Sequence, residues 1–222
     1  ILRREPLEYP RCLPQGDPMT LDSADEATTP VRIWHYGLMA RWWAEFNEGG
    51  EDLSYLQQAV ADSGEPALDA GCGTGRLLLP FRRDGMDVDG SDASTDMLDW
   101  CRQKLKKESL TADLYAQAMH QLELPRRYRT VLVCGAFGLG SRRADDLEAL
   151  RRIRTHLQPG GTLILDQHLT RPGEDRWSAP PPEALPRDWP QEGDRRLSRD
   201  GSELELRTRL LSVDPNDQTL TQ

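Results

Sequence analysis

The sequence has 222 residues, with 37 acidic and 28 basic side chains, a net charge of −9 at pH 7 and 37% hydrophobic residues. This length suffices for one domain with a substantial core, and the acidic balance argues against a nucleic-acid partner. No apolar run approaches the roughly 18 residues of a membrane span, and no charged-then-apolar leader opens the chain, so we expect no membrane contact. The four cysteines form no Cys-x-x-Cys pair, which is typical of reduced thiols in a cytoplasmic protein.

The first 64 residues are predicted to form an arm and two helices. Residues 1–30 contain five prolines, scattered charges and no periodicity, as in an extended or disordered arm. Thr29-Pro30 is a favourable helix start, so a first helix, rich in aromatic residues, should run from there to about Phe46. A second helix is predicted from about Asp52 to Asp62 because its apolar residues share one face.

The next stretch predicts a ligand-binding loop. An apolar run, Ala67 to Ala70, is followed by the loop Gly71-Cys72-Gly73-Thr74-Gly75 and then by Leu77-Leu78-Leu79. This order indicates a buried strand, a tight turn and a helix. Glycines let a backbone approach a ligand closely and adopt positive φ angles. The dinucleotide fingerprint would require glycine or alanine at position 76, where the chain has Arg76, so a dinucleotide is disfavoured.

Further strands and helices should alternate after this loop. A helix is predicted over 76–83, a strand over 86–90, a helix over 94–107 and strands over 113–117 and 130–134. Asp92 lies 21 residues after Gly71, an offset at which a carboxylate can accept hydrogen bonds from both hydroxyls of a ribose. The loop 135–140 should lie at the carboxyl ends of the strands, where a second substrate must approach.

The last third is predicted to be less regular. A helix from about Asp145 to Leu157 should turn Leu147, Leu150, Ile153 and Leu157 inward. A turn at Pro159-Gly160-Gly161 should lead into a strand over 162–167. Residues 171–200 read as a long loop, Ser202 to Val213 as a half-buried antiparallel strand, and 218–222 as the start of a return strand.

Four motifs in this order resemble those of class I S-adenosylmethionine-dependent methyltransferases of the small-molecule type, and together they cover roughly residues 31–168. They are the stretches 68–75, 92–98, 117–119 and 157–163. The resemblance implies an α/β fold with a doubly wound Rossmann-like methyltransferase sheet, N-terminal lid helices and a late antiparallel β insert. It divides the chain into an arm (1–30), lid helices (31–64), an S-adenosylmethionine-binding core (65–168), and a loop with antiparallel strands near the acceptor site (169–222).

The resemblance also implies the residues of the site. Arg41 would pair with the methionyl carboxylate, Asp92 with the ribose and Gln117 with the adenine amino group. Trp34, Phe137 and His168 would line the acceptor pocket, and His168, His120 or Tyr36 could act as a base. The cofactor-binding residues would be Tyr36, Arg41, Asp69, Ala70, Gly71, Cys72, Gly73, Gly75, Arg76, Asp92, Ala93, Met97, Gln117, Ala118, Met119 and Cys134.

The expected function is methyl transfer from S-adenosylmethionine to an N, O or C atom of a small-molecule metabolite. No metal is expected, because Cys134-Gly135 offers no acid after the fourth strand. The Asn- or Asp-Pro-Pro-aromatic loop of the enzymes that methylate nucleic-acid bases is missing. Two alternatives stay open: a nicotinamide-dependent oxidoreductase, which Arg76 disfavours, and a non-catalytic cofactor-binding scaffold, which the intact glycines and Asp92 disfavour.

The end of the sheet is a separate expectation. Class I domains complete a seven-stranded sheet after the fifth strand, and residues 202–222 could be that final hairpin. Their charged alternate face disfavours this, since strands in a doubly covered sheet are nearly continuous apolar runs. We therefore expect an added hairpin over the acceptor end. The missing strands would come from a further C-terminal segment or from another subunit of a homodimer.

Overall fold

The computed structural model describes residues 35–139, 141–166, 188–209, 212–214 and 219–221. The amino-terminal half contains α1 (Leu38–Phe46), α2 (Leu53–Ser63), β1 (Ala67–Ala70), α3 (Leu78–Arg83), β2 (Val88–Asp92) and α4 (Thr95–Lys107). It is followed by β3 (Leu114–Ala116), a 3₁₀ turn (Met119–Gln121), β4 (Tyr128–Val133), α5 (Arg143–His156) and β5 (Leu157–Leu165). Four short strands come last: β6 (Asp194–Leu197), β7 (Glu203–Leu206), β8 (Ser212–Asp214) and β9 (Thr219–Thr221).

Five parallel strands form the central sheet in the order β3-β2-β1-β4-β5. Every residue of β1 is buried, as expected for a central strand covered on both faces. Alternate residues of β1 pack into different clusters. Ala67 joins Val60 of α2 and Phe81 of α3, whereas Leu68 joins Ile153 of α5. The doubly wound α/β fold is therefore confirmed, and its strand order reverses between β1 and β4, where such sheets bind ligands.

The first helix is shorter than predicted within the described residues. It begins at Leu38 because Gly37, with a φ of 52°, interrupts the helical conformation, and His35 and Tyr36 precede it outside a helix. The predicted start at Thr29-Pro30, as well as Trp34, lies outside the described residues. The second helix agrees with the prediction to within one residue.

The predicted inward face of α5 is confirmed only in part, since Ile153 is buried and Leu157 packs partly buried against the same cluster, but the other two leucines are not buried. Leu147 and Leu150 are 50% and 37% exposed, and the buried residues are Ala149, Ile153 and His156. His156 can be buried on this face because both of its ring nitrogens have hydrogen-bonding partners. Nε2 accepts the Leu124 N–H at 2.9 Å, and Nδ1 lies 2.8 Å from the Arg152 carbonyl oxygen. The prediction followed the leucines and passed over a histidine whose polar atoms are satisfied locally.

The carboxyl-terminal strands also differ from their predictions. The turn predicted at Pro159 to Gly161 is an irregularity inside β5, which begins at Leu157. The antiparallel strand predicted over 202–213 is confirmed only over Glu203–Leu206, as β7. It pairs with β6, which comes from a stretch predicted to be a loop. The predicted return strand is present as β9, paired antiparallel with β8. Among the residues that the structure covers, neither pair joins the parallel sheet.

Three cysteines, Cys72, Cys101 and Cys134, are free thiols in this structure. Searching the described helices for a long apolar stretch finds none that could cross a lipid bilayer.

A buried polar cluster supports the sheet. The Asp89 side chain is 5% exposed, and its carboxylate accepts hydrogen bonds from the Tyr128 hydroxyl at 3.0 Å and from Arg126 at 3.1 Å. Tyr128 is fully buried, and burial, followed by the charge of Asp89, raises its pKa. The hydroxyl therefore stays protonated and donates to a carboxylate that has little access to water.

Tyr128→Phe is expected to lower the free energy of unfolding by about 1.5–3 kcal/mol, because a hydrogen bond to a buried charged group is lost. Tyr55→Phe is the matched control, since Tyr55 is 72% exposed and the same change should stay within about 0.5 kcal/mol. Urea denaturation followed by circular dichroism measures both. Equal midpoints for the two variants would contradict the role of this hydroxyl.

Candidate cofactor and acceptor site

The glycine loop, residues 71–75, connects β1 to the turn before α3. Its three glycines have φ angles of 85°, 54° and 88°, in the region that residues with a side chain rarely adopt. A Cβ atom on Gly75 would lie 2.0 Å from Cδ1 of Leu79 and 2.9 Å from Sγ of Cys101. Gly75 is thus required for packing inside the domain, not only for contact with a ligand.

The other two glycines face the carboxyl edge of the sheet. A Cβ on Gly71 would lie 2.5 Å from Cβ of Ala136 and 3.0 Å from Cε of Met119, and one on Gly73 would lie 3.1 Å from Cε of Met97. The structure therefore brings Met97 and Met119, both predicted cofactor residues, to the glycine loop. Ala136 is an addition that the sequence did not reveal, because a small residue after β4 carries no motif.

Asp92 is the last residue of β2 and lies beside this loop. Its Oδ2 accepts the Gly73 N–H at 2.9 Å, and its Oδ1 accepts the Ser94 N–H at 2.8 Å. Burial raises the pKa of the carboxyl, while the two backbone hydrogen bonds favour the charged form. Asp92 therefore fixes both the glycine loop and the start of α4.

A second acid, Asp69, lies within β1 and is 3% exposed. Burial raises its pKa to about 7, with a further increase from the charge of Asp92 and opposing contributions from Arg76 and the Leu78 backbone. The two carboxyls are close enough to influence each other, so a positively charged ligand here would favour their ionised forms.

Asp69→Asn is expected to flatten the pH dependence of stability. The folded pKa of about 7 exceeds the ordinary value of 3.8, so between these two pH values the folded state binds a proton that the unfolded state has released. The contribution of Asp69 to stability is complete below about pH 4 and is lost as the pH rises towards 7. Over this range the free energy of unfolding falls by at most about 1.4 kcal/mol per pH unit. Denaturation midpoints from pH 4 to 8 test this, and an unchanged slope in the variant would contradict it.

Arg76 connects the glycine loop to the start of α2. Its Nη1 donates to both carboxylate oxygens of Asp52, at 2.8 and 3.0 Å, and to the Gly49 carbonyl at 3.2 Å. The hydrogen bond with Asp52 is the main cause of the raised pKa of Arg76. Nearby, burial raises the pKa of the Cys134 thiol to about 12, so this predicted cofactor residue is uncharged at neutral pH.

The segment before α1 is attached to the region around Asp92. Ser94 Oγ donates to the His35 carbonyl at 2.5 Å, and the Gly37 N–H donates to Asp96 Oδ2 at 2.8 Å. Burial lowers the pKa of His35 to about 4, while Tyr36 is 45% exposed. The predictions included Tyr36 but missed Ser94 and Asp96, whose only signal was their place at the start of α4.

Arg41 makes its contacts with the late hairpin. Its guanidinium lies 2.8 Å from Glu45 and 2.8 Å from Asp200, and it donates to the hydroxyls of Ser198 and Ser202. These partners tie α1 to the turn between β6 and β7. Nε and Nη2 of Arg41 already have acceptors within the protein. The predicted contact of Arg41 with a methionyl carboxylate stays a prediction.

The remaining predicted residues are spread around the carboxyl edge. Gln117 uses its amide on the backbone of Glu123, with distances of 2.8 and 3.3 Å, so its adenine contact stays a prediction. The hydrogen bond with Arg142 is the main cause of the lowered pKa of Asp145, and the nearby His120 also contributes. Phe137 packs against the cluster of Leu68. Ala70, Cys72, Ala93 and Ala118 adjoin the residues described above. His168 lies outside the described residues.

The parallel sheet, the glycine loop after β1 and the acid at the end of β2 define a Rossmann-like adenosine-binding domain. Residues 67–161 match the family model described as a methyltransferase domain. This match supports the class I S-adenosylmethionine-dependent methyltransferase family that the sequence motifs predicted.

Relatives and solved structures agree with this family. The chain is 28% identical over 61% of its length to a Geobacillus sp. (strain WCH70) protein, provisionally named a methyltransferase, of which 58% is covered. It is 30% identical over 51% of its length to a ubiquinone biosynthesis O-methyltransferase of Xanthomonas campestris pv. campestris (strain B100), of which 47% is covered. The chain spans about half the length of the curated relatives that it matches.

Among solved structures, the glycopeptide N-methyltransferase MtfA shares the fold, with a TM-score of 0.50, 20% identity and coverage of 73% of this chain and 71% of that one. The sugar N-methyltransferase KedS8 from Streptoalloteichus sp. ATCC 53650 has the same TM-score and identity, over 71% of this chain and 62% of its own.

Proposed function

We propose that this protein binds S-adenosylmethionine at the glycine loop and transfers its methyl group to a small-molecule acceptor. The observation that carries the proposal is the position of Asp92, whose two oxygens each accept one backbone N–H. Each carboxylate oxygen has a second lone pair, so Asp92 can still accept the two hydroxyls of a ribose. A charged acceptor fixed in this way is preorganised for the cofactor.

The residues around the loop fit the rest of such a cofactor. The positive φ angles of Gly71 and Gly73 present backbone without side chains towards the edge of the sheet, and the flexible ends of Met97 and Met119 border this surface. Methionine adapts to irregular shapes and contacts aromatic rings favourably, which suits an adenine. The buried acids Asp69 and Asp92 favour a positively charged ligand.

When bound, the cofactor supplies an already activated methyl group, so the protein must mainly hold an acceptor atom in line with it. The acceptor would approach the loop after β4. Asp166 at the end of β5 accepts the Gly135 N–H at 2.6 Å and so fixes the start of this loop. We propose an N, O or C atom of a metabolite as the acceptor, metal independence, and assistance by His120, Tyr36 or His168 where a proton must leave.

The test combines methyl-labelled S-adenosylmethionine with a metabolite pool and analyses the products by mass spectrometry. A labelled product is expected with and without EDTA, and no product with the Asp92→Ala variant. Loss of product with EDTA and its recovery with Mg²⁺ would contradict metal independence. Binding of S-adenosylmethionine without transfer would favour a scaffold, and a melting shift with a nicotinamide dinucleotide instead would favour the oxidoreductase alternative.

We also propose that residues 31–64 act as a lid on the core (65–168), stabilised by the late segment (169–222). The buried Ser198 hydroxyl, in the turn between β6 and β7, accepts from Arg41 and donates to Glu45 at 2.5 Å each. Because α1 is also attached to Ser94 and Asp96, a change at this turn can affect the region of Asp92 without touching it.

Ser198→Ala is therefore expected to weaken S-adenosylmethionine binding about fivefold, corresponding to roughly 1 kcal/mol for the lost hydrogen bonds. Ser141→Ala is the control, because within the described residues the Ser141 hydroxyl donates its one side-chain hydrogen bond to Asp146 at the start of α5. Calorimetry gives both dissociation constants. An affinity in Ser198→Ala equal to that of the control would remove the support for a lid. A homodimer stays a prediction for size-exclusion chromatography.

A further inference from the structure

Most arginines in the described part of the chain have a carboxylate partner. Examples are Arg83 with Glu108, Arg126 with Asp87 and Arg199 with Glu48. Arg127, Arg129 and Arg154 form no ion pair with any described residue, although acids outnumber bases by nine in the sequence. No described carboxylate therefore compensates the positive charge of these three side chains.

Two of these arginines line one cavity of about 390 Å³ that is open to solvent, and the third borders its wall. Arg127 precedes β4 and Arg154 lies in the last turn of α5, and both line the cavity, whose remaining wall is the start of β5 from Leu157 to Gly161. Arg129 borders this wall, because its Nη1 donates to the Pro159 carbonyl at 3.2 Å and lies 3.3 Å from the position of a Cβ on Gly160. Among the residues that the structure describes, no aspartate or glutamate lines the cavity.

The cavity wall is also held in place from within. Gln158 donates from its amide nitrogen to the Arg127 carbonyl at 3.2 Å, which joins the start of β5 to the residue that carries one guanidinium. Arg129 donates a further hydrogen bond to the Ser63 carbonyl at 3.1 Å. The charges of Arg127 and Arg154 thus face a shared space with an ordered backbone around it.

The cavity is separate from the candidate cofactor site. In a parallel sheet the starts of β4 and β5 lie at the edge opposite to the carboxyl end of β1, where the glycine loop is found. Uncompensated guanidinium groups that share a cavity repel one another, and a planar guanidinium binds phosphate oxygens in pairs. An oxyanion between them would supply the missing negative charge.

We propose that this cavity binds a phosphate group, either as inorganic phosphate or as the terminal group of a small phosphorylated metabolite. The proposal is independent of methyl transfer, because no residue of the cavity belongs to the candidate cofactor site. Arg127 and Arg154 would supply the charge-assisted hydrogen bonds, and Arg129 would hold the wall in place while adding positive potential.

Isothermal titration calorimetry of the full chain in phosphate-free buffer at constant ionic strength tests the proposal. The probes are inorganic phosphate and glucose 6-phosphate, whose relative affinities distinguish the two sources. Arg127→Ala and Arg154→Ala should each weaken binding at least tenfold, the loss expected for one charge-assisted contact. Arg143→Ala is the matched control: Arg143 also has no described carboxylate partner and is exposed, but lies at the other end of α5.

Circular dichroism melts establish that the variants are folded, as expected for exposed side chains. Saturable binding that is lost in the two cavity variants and retained in Arg143→Ala supports the proposal. The proposal is overturned if neither probe gives a saturable heat of binding up to about 10 mM. It is also overturned if Arg143→Ala loses as much affinity as the cavity variants, or if chloride gives the same heat as phosphate. Binding of an acidic peptide without binding of either phosphate probe would also overturn it, in favour of a protein partner.

Discussion

Gly73→Val is expected to abolish detectable S-adenosylmethionine binding and to leave the fold intact. Gly73 has a φ of 54°, and a Cβ there would lie 3.1 Å from Cε of Met97, the mobile end of an unbranched side chain. The protein can therefore accommodate the new atoms by moving Met97, with a backbone strain of about 1–3 kcal/mol. The proposed ligand would meet a branched side chain where it needs bare backbone.

Gly85→Val is the matched control for this strain. Gly85 has a φ of 80° with nothing within 4 Å of its Cβ position, and it lies at the end of α3 away from the glycine loop. Both variants should lose a similar amount of stability in urea denaturation, and only Gly73→Val should lose binding by calorimetry. Wild-type affinity in Gly73→Val would mean that the ligand does not lie on this loop.

Position 73 is a better choice for this test than its neighbours. A Cβ on Gly71 would meet Cβ of Ala136 at 2.5 Å, and one on Gly75 would meet the buried Leu79 at 2.0 Å. Neither contact can be relieved by the end of a flexible chain, so substitutions there would confuse loss of folding with loss of binding.

The sheet and the glycine loop could be predicted from sequence because their signals are local. A fully buried strand is a short apolar run, a loop that needs positive φ angles contains glycine, and the order of the motifs sets the topology. Asp92 could be placed for the same reason, because its distance from the loop along the chain is fixed by one helix and one strand.

Interactions across the fold could not be predicted in this way. The Leu147 and Leu150 side chains suggested an inward face, but the residues of α5 that are buried are Ala149, Ile153 and His156. His156 also needs the Leu124 N–H, which comes from another segment. Arg41 matched a cofactor ligand by type, yet its partners Ser198, Ser202 and Asp200 are about 160 residues away along the chain. Sequence patterns carry no information on such pairs.

Asp92→Ala is the second large expected effect, with S-adenosylmethionine affinity reduced roughly 10- to 100-fold. The variant loses the charged acceptor for the ribose, about 1.5–3 kcal/mol, and removes the partners of the Gly73 and Ser94 amides. The loop that should hold the ligand therefore also loses its attachment to the end of β2. Asp92→Asn keeps one acceptor oxygen and should lie between wild type and the alanine variant.

Asp99→Ala controls for the loss of an acid on the neighbouring helix α4, because the Asp99 side chain is 64% exposed and its one ion pair in the described part of the chain is with Arg102. Calorimetry with S-adenosylmethionine at pH 8 gives the dissociation constants. We expect the affinity to be highest in wild type and Asp99→Ala, lower in Asp92→Asn and lowest in Asp92→Ala. This order follows if the acceptor both organises the loop and contacts the ligand. Equal affinity in all four proteins would place the ribose elsewhere and remove the observation on which the proposed function rests.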